Sequence, residues 1–321
     1  MEGHPGGDSY RRALSPVSTL RRVVDIIGRV LIGLGVLVLL FMAYQIWGTS
    51  VQEAQVQSGL RSQLQKDTGN DAVKRALAQE STLDRLPTGP PVAAPTIAAP
   101  AEGEPIGDIR IPVIGLNQVV VEGTNTPDLR KGPGHYTGTP LPGQAGNAAV
   151  AGHRTTYGHP FYSLDSVKVG DPIVLTTLQG IFVYDATKSF VVSPSDTSVL
   201  DNVFADQITL TTCNPRFSAT TRLIVQGTLA HSQLFPNTDL PVQKHVKGKP
   251  KSESLAGDSG VSLADALFWG FVTAIVVTGI FFAAHYLRRQ RWLIYGVGAV
   301  GILVLLWFFF GAVSPLLPAS F

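Results

Sequence analysis

The sequence predicts an all-β globular domain, a single β-barrel or sandwich with short helices, joined to three transmembrane helices. Short runs rich in Val, Ile and Thr occupy the middle of the chain, and turn-forming Gly and Pro residues separate them. No long helical period interrupts these runs. Three stretches elsewhere are apolar over about 20 residues, which at about 1.5 Å per residue is enough to cross a hydrocarbon core of about 30 Å.

Changes in composition divide the 321 residues into successive segments. The predicted segments are a cytoplasmic N-terminal segment (1–22), a transmembrane anchor (23–47), a juxtamembrane stalk (48–86), a Pro/Ala-rich linker (87–105), the globular domain (106–234), a polar linker (235–263), a transmembrane helix (264–287), a cytoplasmic basic loop (288–291), a transmembrane helix (292–313) and a C-terminal tail (314–321).

The first apolar stretch follows several arginines, including Arg21 and Arg22, as the core of a cleavable secretory signal would. A signal core runs about 7–15 residues and ends at small residues. This stretch is longer and ends in Tyr44 and Trp47, whose amphipathic rings are typical of a membrane interface. We interpret it as an uncleaved anchor, with a cleaved signal as the alternative.

The basic residues predict the orientation of the spans. Short loops rich in Arg and Lys stay on the cytoplasmic side, and this applies both to residues 1–22 and to the loop 288–291. Three crossings then place residues 48–264 outside the cytoplasm. The prediction is a multi-pass protein of the cell membrane with an extracytoplasmic globular domain.

Two segments of different composition, one polar and one rich in Pro and Ala, connect the first span to the globular domain. Val56, Leu60 and Leu64 recur every four residues in the first of them, which predicts a juxtamembrane helix. We expect a solvated stalk there, although the apolar stripe could serve self-association. The second, 87–105, is rich in Pro and Ala and is typical of a polyproline II spacer that holds a domain away from the bilayer.

The globular domain contains runs of strand-like composition and short candidate helices. The predicted strands are Gly107–Ile111, Gln118–Glu122, Ala148–His153, Pro172–Leu178, Ile181–Val192, Ile208–Thr212 and Arg222–Leu229. The short helices are expected near Pro127–Lys131 and Phe161–Val167.

Charge and cysteine content limit the possible functions. The net charge is +2, with acidic and basic residues mixed, which gives no support for binding nucleic acid. Cys213 is the single cysteine, so an intramolecular disulfide is impossible. A lone thiol on the oxidising side of a membrane is either reactive or, as composition alone favours, a buried small apolar side chain.

Cys213, His153 and Arg222 are the candidate catalytic residues because each lies at the end of a predicted strand. A thiol with a pKa near about 8.5 is only a few per cent thiolate at pH 7, so a nucleophilic cysteine needs a nearby base or positive charge. His153 and Arg222 supply these groups if the strand ends meet at one edge of the domain. The spacing of these residues in the sequence does not by itself show that the three strand ends come together.

Other polar residues compete for these roles. Arg216 is closer than Arg222 to Cys213, but it lies in the predicted turn. His135 and His159 lie among Gly and Pro residues, where a structural role is expected, and we assign Asp165 and Asp171 to turns. The histidines have no metal-ligand spacing, and we expect no metal and no cofactor.

The motifs around these residues resemble the sortase family, most closely the class E sortases of high-GC Gram-positive bacteria. Thr209–Cys213 reads TLTTC and precedes Arg222, as in the TLxTC signature with its downstream Arg. Further segments follow the family order: Ile111–Leu116, Gly132–Tyr136, Leu141–Gly143, Gly146–Asn147 and Ala151–Gly158. The resemblance covers roughly Ile106 to Leu229, the whole globular segment, and agreement of several ordered motifs makes it specific.

The resemblance implies an eight-stranded sortase-type β-barrel and a thiol transpeptidase. Cys213 would be the nucleophile, His153 the general acid and base, and Arg222 the group that stabilises the substrate and the oxyanion. Tyr136, Thr212 and Asn214 would contact the substrate. The enzyme would cleave the Thr–Gly bond of a C-terminal LAxTG or LPxTG sorting signal on surface proteins and transfer the protein to an amine of a peptidoglycan precursor.

Several alternatives stay open at this point. A cysteine hydrolase would share the acyl-enzyme and differ only in using water, and a non-enzymatic surface binding module would leave the strand-end residues as coincidence. The chain also departs from the class E pattern, in which His often follows the catalytic cysteine where this chain has Asn214. The two C-terminal spans are a second departure, and they could favour encounter with membrane-bound substrates or serve only as anchors.

Overall fold

The computed structural model describes residues 16–67, 86–235 and 263–314. The predicted segments or parts of segments at 1–15, 68–85, 236–262 and 315–321 lie outside the described residues. The chain divides into two units, one ending at Ala43 and the other beginning at Tyr44. Helix α1, Pro16–Ala43, belongs to the first unit and exposes most of its described apolar side chains. In the second unit, a π-helical turn, Tyr44–Gly48, precedes helix α2, Thr49–Asp67.

Eight strands form a closed barrel in the second unit, which confirms the predicted fold class. The strands are β1 Pro105–Ile111, β2 Leu116–Glu122, β3 Gly134–His135, β4 Asn147–Ala151, β5 Pro172–Thr177, β6 Gly180–Val192, β7 Gln207–Asn214 and β8 Thr221–Leu234. Their order around the barrel is β1, β2, β3, β4, β7, β8, β6, β5. The pairs β2–β3 and β4–β7 are parallel, and all other neighbours are antiparallel.

Several strand assignments from the sequence differ from the structure. Strand β4 ends at Ala151, short of the predicted His153, and β8 continues to Leu234 beyond the predicted Leu229. The sequence runs missed β3, because it is only Gly134–His135 and its Gly and Pro surroundings indicate a turn. Strand β7 continues through Cys213 to Asn214 instead of ending at Thr212. The reason is that β8 pairs with β7 along this whole length and supplies partners for its backbone.

The strands bury apolar side chains on both faces of part of the sheet. Seven of the strands contribute to an interior cluster, which includes Val150 of β4, Leu210 of β7 and Val225 of β8. The residues between these positions point the other way, because successive strand side chains alternate between faces. An outer-face cluster results, consisting of Tyr136, Ala149, Ala151, Val199, Leu200 and Ile224.

Helix α2 packs against the barrel, which differs from the solvated stalk expected from the sequence. Leu60 and Leu64 of its apolar stripe are buried with Val119 and Val121 of β2. The side chain of Gln57 accepts a hydrogen bond from the Val119 amide (2.7 Å) and donates one to the Val119 carbonyl (3.0 Å). The stripe therefore finds its partner within the same chain, and burial of its leucines stabilises that arrangement.

The Pro/Ala-rich linker also lies on the barrel in its described part, so it is not a free spacer. Its Ala94 amide donates to the Gly143 carbonyl (2.7 Å), and its Val92 amide donates to the Ser232 hydroxyl (2.8 Å). Gln179 donates to the Pro95 carbonyl (2.6 Å). Proline leaves carbonyl acceptors available, and the barrel provides donors and acceptors for this segment.

Short and long helices complete the described chain. Helix α3, Thr126–Leu129, and a 3₁₀ turn, Leu164–Ser166, lie where the sequence predicts short helices. Near the C-terminus, helix α4, Leu263–Tyr286, is followed by helix α5, Arg291–Val313. By length and composition, three helices can span a membrane: Arg21–Lys66, Leu263–Tyr286 and Trp292–Val313.

Candidate active site

Cys213 and Arg222 face each other across the antiparallel pair β7–β8. They are direct partners in the register of the two strands. Cys213 alternates with Thr211, and Arg222 alternates with Ile224 of the outer-face cluster, so both side chains are on the outer face. Arg222 is buried, and its guanidinium donates to the carbonyls of Ala219 (2.9 Å) and Thr221 (3.0 Å). These bonds fix its charge beside the sulfur.

His153 lies on the other side of Cys213, beyond the end of β4. In the parallel pair β4–β7, Ala151 is opposite Thr211. The pairing continues past the strand, because the Gly152 amide donates to the Thr211 carbonyl (3.0 Å) and the Thr212 hydroxyl donates to the Gly152 carbonyl (2.7 Å). Two residues further along both chains, His153 reaches the level of Cys213. The structure thus brings the three predicted catalytic residues to the same level of the barrel, with Cys213 on β7, Arg222 on β8 and His153 two residues beyond the end of β4.

The surroundings of Cys213 have opposing effects on its thiol. Burial raises the pKa of Cys213 above its usual value, because a thiolate loses water there. The positive charges of Arg222 and Arg154 lower the pKa and oppose this effect. Cys213 as a residue is only partly buried. At neutral pH the thiol is the resting form, and the thiolate forms when a nearby base takes its proton.

His153 is also held in its neutral form. The residue retains some exposure, but its Nε2 atom is buried and has no hydrogen-bond partner among the described residues. Burial and the positive charge of Arg130 lower the pKa of His153 to about 4. A neutral imidazole beside a neutral thiol can accept the thiol proton, and the resulting ion pair is a minor state at equilibrium.

Arg154 is a site residue to which the sequence reasoning gave no role. Its side chain is buried and donates to the Cys213 carbonyl (3.2 Å) and to the Asn214 side-chain oxygen (3.1 Å). It also forms an ion pair with Asp165 (3.1 Å). Arg154 therefore fixes the end of the nucleophile strand and adds positive charge near the sulfur. Its position directly after His153 was the available signal.

Asp165 lies in the 3₁₀ turn Leu164–Ser166, as expected from the sequence, and makes further contacts there. Asp165 forms ion pairs with both Arg154 and Arg216, which a turn position alone does not predict. Arg216 in addition stacks on Tyr162, with its guanidinium carbon 4.4 Å from the ring centroid. Arg216 is thus engaged in the loop, whereas Arg222 is the strand partner of Cys213. The geometry supports the choice of Arg222 over Arg216.

The remaining histidine and aspartate candidates have structural contacts. His135 is fully buried and bonded to Glu122 (2.8 Å) and Thr139 (2.9 Å), as expected for a structural histidine. Asp171 accepts from the Lys168 amide (2.7 Å) within a turn. In the part of the chain that the structure describes, no three His, Cys, Asp or Glu side chains are grouped as metal ligands.

Comparison with known proteins identifies the family. Residues 109–230 match the profile of the sortase domain. The putative sortase YwpE of Bacillus subtilis is 31% identical over 88 residues, which cover 27% of this chain and 86% of that protein. This chain belongs to the sortase family. Sortases are cysteine transpeptidases, so the resemblance seen in the sequence motifs is confirmed at the level of the family.

Two further relatives are sortases of the E type. Sortase SrtE1 of Streptomyces coelicolor is 34% identical over 223 residues, covering 64% of this chain and 57% of that protein. The chain therefore spans little more than half the length of this relative. The solved structure of sortase E from Streptomyces avermitilis aligns with 42% of this chain and 93% of that one, at 40% identity and a TM-score of 0.39.

The three predicted substrate-contacting residues of this sortase have different surroundings. The Tyr136 ring belongs to the outer-face cluster, and its hydroxyl bonds to the Thr211 hydroxyl (2.9 Å), two residues before Cys213. The Asn214 amide donates to the Thr221 hydroxyl (3.1 Å) beside Arg222. Thr212 is buried and bonded to Gly152, which makes it a support of the His153 segment.

Proposed function

We propose that this sortase cleaves the Thr–Gly bond of a C-terminal LAxTG or LPxTG signal and transfers the protein to an amine of a peptidoglycan precursor. The observation that carries the proposal is the strand register, which sets Arg222 opposite Cys213 and brings His153 to the same level on the other side. A nucleophile flanked by a proton acceptor and a fixed cation suits acyl transfer through a covalent intermediate.

The first half-reaction forms the acyl-enzyme. His153 takes the proton of Cys213, and the sulfur attacks the carbonyl carbon of the Thr residue. The tetrahedral intermediate carries its negative charge on the former carbonyl oxygen. When it collapses, the C–N bond breaks, the imidazolium of His153 gives its proton to the Gly amine, and a thioester remains on Cys213. The neutral resting pair supplies exactly one proton for this step, so no third group has to add or remove charge.

The second half-reaction reverses these roles. The acceptor amine attacks the thioester carbonyl and passes a proton to His153, and the Cys213 sulfur leaves as thiolate and recovers that proton. Arg222 stabilises the oxyanion in both half-reactions, because its charge is buried, fixed and adjacent to the sulfur. Attack by water in place of the amine would give hydrolysis.

The proposed orientation in the membrane has support from the second unit. The ring of Tyr44 packs against Trp307 and Phe310, with centroids 5.1 Å and 5.8 Å apart. These residues lie in the part of α5 remote from the basic loop 288–291. If that loop is cytoplasmic, Tyr44 and the end of α5 share the outer side, where the barrel also begins. The catalytic domain is then extracytoplasmic.

Mass spectrometry of the full-length enzyme tests the proposed function. Purified protein in detergent or nanodiscs is incubated with LAxTG and LPxTG peptides, with and without an amine acceptor, beside Cys213→Ala. We expect a thioacyl adduct on Cys213 and amine-coupled product, and neither in the variant. Cleavage without coupling would indicate a hydrolase. A folded enzyme that modifies neither peptide would contradict the proposal.

A further inference from the structure

The segment after His153 contacts the start of α2 and the residue that follows α5, both in the second unit. The Tyr157 amide donates to the Thr49 hydroxyl at the start of α2 (3.1 Å). The Tyr157 hydroxyl bonds to the hydroxyl of Ser314, the residue that follows α5 (2.8 Å). Ser314 in turn donates to the side-chain oxygen of Gln45 (3.1 Å). Because Ser314 has one hydroxyl proton, Tyr157 is the donor in its bond with Ser314.

Tyr157 also contacts the imidazole of His153. The two rings have centroids 5.3 Å apart and planes tilted by 38°. On the tyrosine side, the guanidinium carbon of Arg130 is 5.5 Å from the Tyr157 ring centroid. Since Nε2 of His153 has no hydrogen-bond partner among the described residues, no bond at that atom fixes the ring. Packing against Tyr157 is a contact that restrains it.

The backbone of this segment is held in an unfavourable conformation. Tyr157 and His159 have φ values of 48° and 38°, and Gly158 between them has φ 71°. Left-handed residues other than Gly cost about 1 kcal/mol or more each, and persist where surrounding contacts impose them. A Cβ on Gly158 would overlap the buried carboxylate of Glu53 from α2. Helix α2 and Ser314, the residue that follows α5, therefore supply contacts that hold this conformation.

We propose that Tyr157 is a positioning residue for His153, held in place by Thr49 and Ser314, so that the end of the last membrane helix takes part in aligning the catalytic pair. The inference rests on the proposed role of His153. This positioning role would give the C-terminal spans a function in catalysis in addition to anchoring. Loss of the Tyr157 to Ser314 bond lets the ring of Tyr157 and the imidazole move together, and the imidazole then meets the thiol less often.

The test compares single hydroxyl deletions in full-length protein in nanodiscs. Tyr157→Phe and Ser314→Ala remove the same bond, and Thr49→Val removes the acceptor for the Tyr157 amide. Matched controls are Thr278→Ala, whose hydroxyl bonds only within α4, and Ser50→Ala, whose hydroxyl bonds to Ile46. The readouts are kcat and KM for peptide transfer, and the rate of Cys213 alkylation by iodoacetamide from pH 5 to 9.

We expect kcat to fall about 3- to 10-fold in each of the three variants with KM within about twofold, a change that matches one lost hydrogen bond. The double variant Tyr157→Phe with Ser314→Ala should equal either single variant, because both delete one interaction. Alkylation at pH 6–7 should slow by a similar factor, since the imidazole assists thiolate formation there. The controls should match wild type.

The outcomes separate this inference from the proposed function. Wild-type kcat and alkylation profiles in Tyr157→Phe and Ser314→Ala would overturn the positioning role. A KM change without a kcat change would also overturn it, because that pattern indicates substrate binding. If wild-type enzyme processes neither peptide, the proposed substrate is wrong, while the alkylation rates still decide whether the membrane-proximal contacts align Cys213 and His153.

Discussion

At the scale of single residues, the chemistry of the site depends on which charges are fixed beside the sulfur. Arg222 and Arg154 both oppose the rise in the pKa of Cys213 that burial causes. They have different contacts, because Arg222 pairs with Cys213 across the strands and Arg154 bonds to its carbonyl. Under the proposed function, Arg222 would contact the substrate, whereas Arg154 holds the strand that carries the thiol.

Replacing Arg222 tests its role in stabilising the oxyanion. Arg222→Ala should lower kcat by about 10²- to 10³-fold, the usual effect of removing one oxyanion donor. Arg222→Lys should recover only part of this loss, because lysine keeps the charge without the planar fork. Arg216→Ala is the matched control and should stay near wild type, since Arg216 contacts Asp165 and Tyr162. Equal losses in Arg216→Ala and Arg222→Ala would contradict the assignment.

The pH dependence of kcat/KM follows from the two shifted groups. Below the lowered pKa of His153, about 4, the thiol and imidazole are both protonated, and no thiolate can form. Above the raised pKa of Cys213, the imidazole has no proton to give the leaving amine. We expect a broad plateau between these limits.

A change at Arg130 should move one limb of that profile. Arg130→Met removes a positive charge that lowers the pKa of His153, so the acidic limb should move to higher pH. The alkaline limb, set by Cys213, should move little. Steady-state rates with a saturating acceptor from pH 4 to 10 provide the measurement. An acidic limb that stays in place would show that Arg130 does not act on His153.

At the scale of elements, helix α2 is attached to the barrel by specific contacts. Arg61 forms an ion pair with Asp108 of β1 (2.9 Å), and Gln57 also donates to the Lys131 carbonyl (2.7 Å). Leu64 is 2% exposed, whereas Val56 on the same helix is 39% exposed. Attachment of α2 sets the position of Thr49 and Glu53, and through them the segment after His153.

Two substitutions of apolar side chains by alanine test this attachment of α2 to the barrel. Leu64→Ala should lower the free energy of unfolding by about 2–4 kcal/mol, because it leaves a cavity between α2 and β2. Val56→Ala should change it by less than about 0.5 kcal/mol. Chemical denaturation of full-length protein in detergent, followed by near-UV circular dichroism of the tyrosines in the barrel domain, gives the comparison. Similar values for the two variants would mean that α2 does not pack on the barrel in solution.

At the scale of the whole molecule, hydrogen bonds within the second unit join the barrel domain to α2 and to the end of α5. Ser314 after α5 and Thr49 of α2 both bond to Tyr157 of the barrel. The active site is therefore close to the membrane-proximal ends of the chain. Under the proposed function, this placement would suit a sorting signal that precedes a membrane segment and a lipid-linked amine acceptor.

The single cysteine allows a direct test of the proposed orientation. A membrane-impermeant maleimide added to intact cells should label Cys213, which is partly exposed, and should not label Cys213→Ala. Arg289→Cys in the Cys213→Ala background should react only after the cells are permeabilised, because the basic loop is predicted to be cytoplasmic. Labelling of position 289 in intact cells would reverse the proposed topology.

The sequence by itself determined the β class, the three apolar helices and the family, because these depend on local composition and on ordered motifs such as Thr209–Cys213. The alternation of side chains along a strand, the residues that form turns and the length of an apolar stretch are all properties of short segments. They can therefore be read from neighbouring residues in the sequence. The same local chemistry singled out Cys213, His153 and Arg222.

Only the tertiary structure decided what depends on distant partners. Strand β3 exists because β2 and β4 pair with it on either side, since two residues carry no strand pattern of their own. The narrow apolar stripe of α2 is also compatible with a solvated helix. Only the folded chain shows that β2 covers it. Tyr157 and Ser314 are 157 positions apart, and no local rule relates them. Contacts of this kind are set by the folded chain as a whole, because packing and long-range hydrogen bonds join segments that the sequence separates.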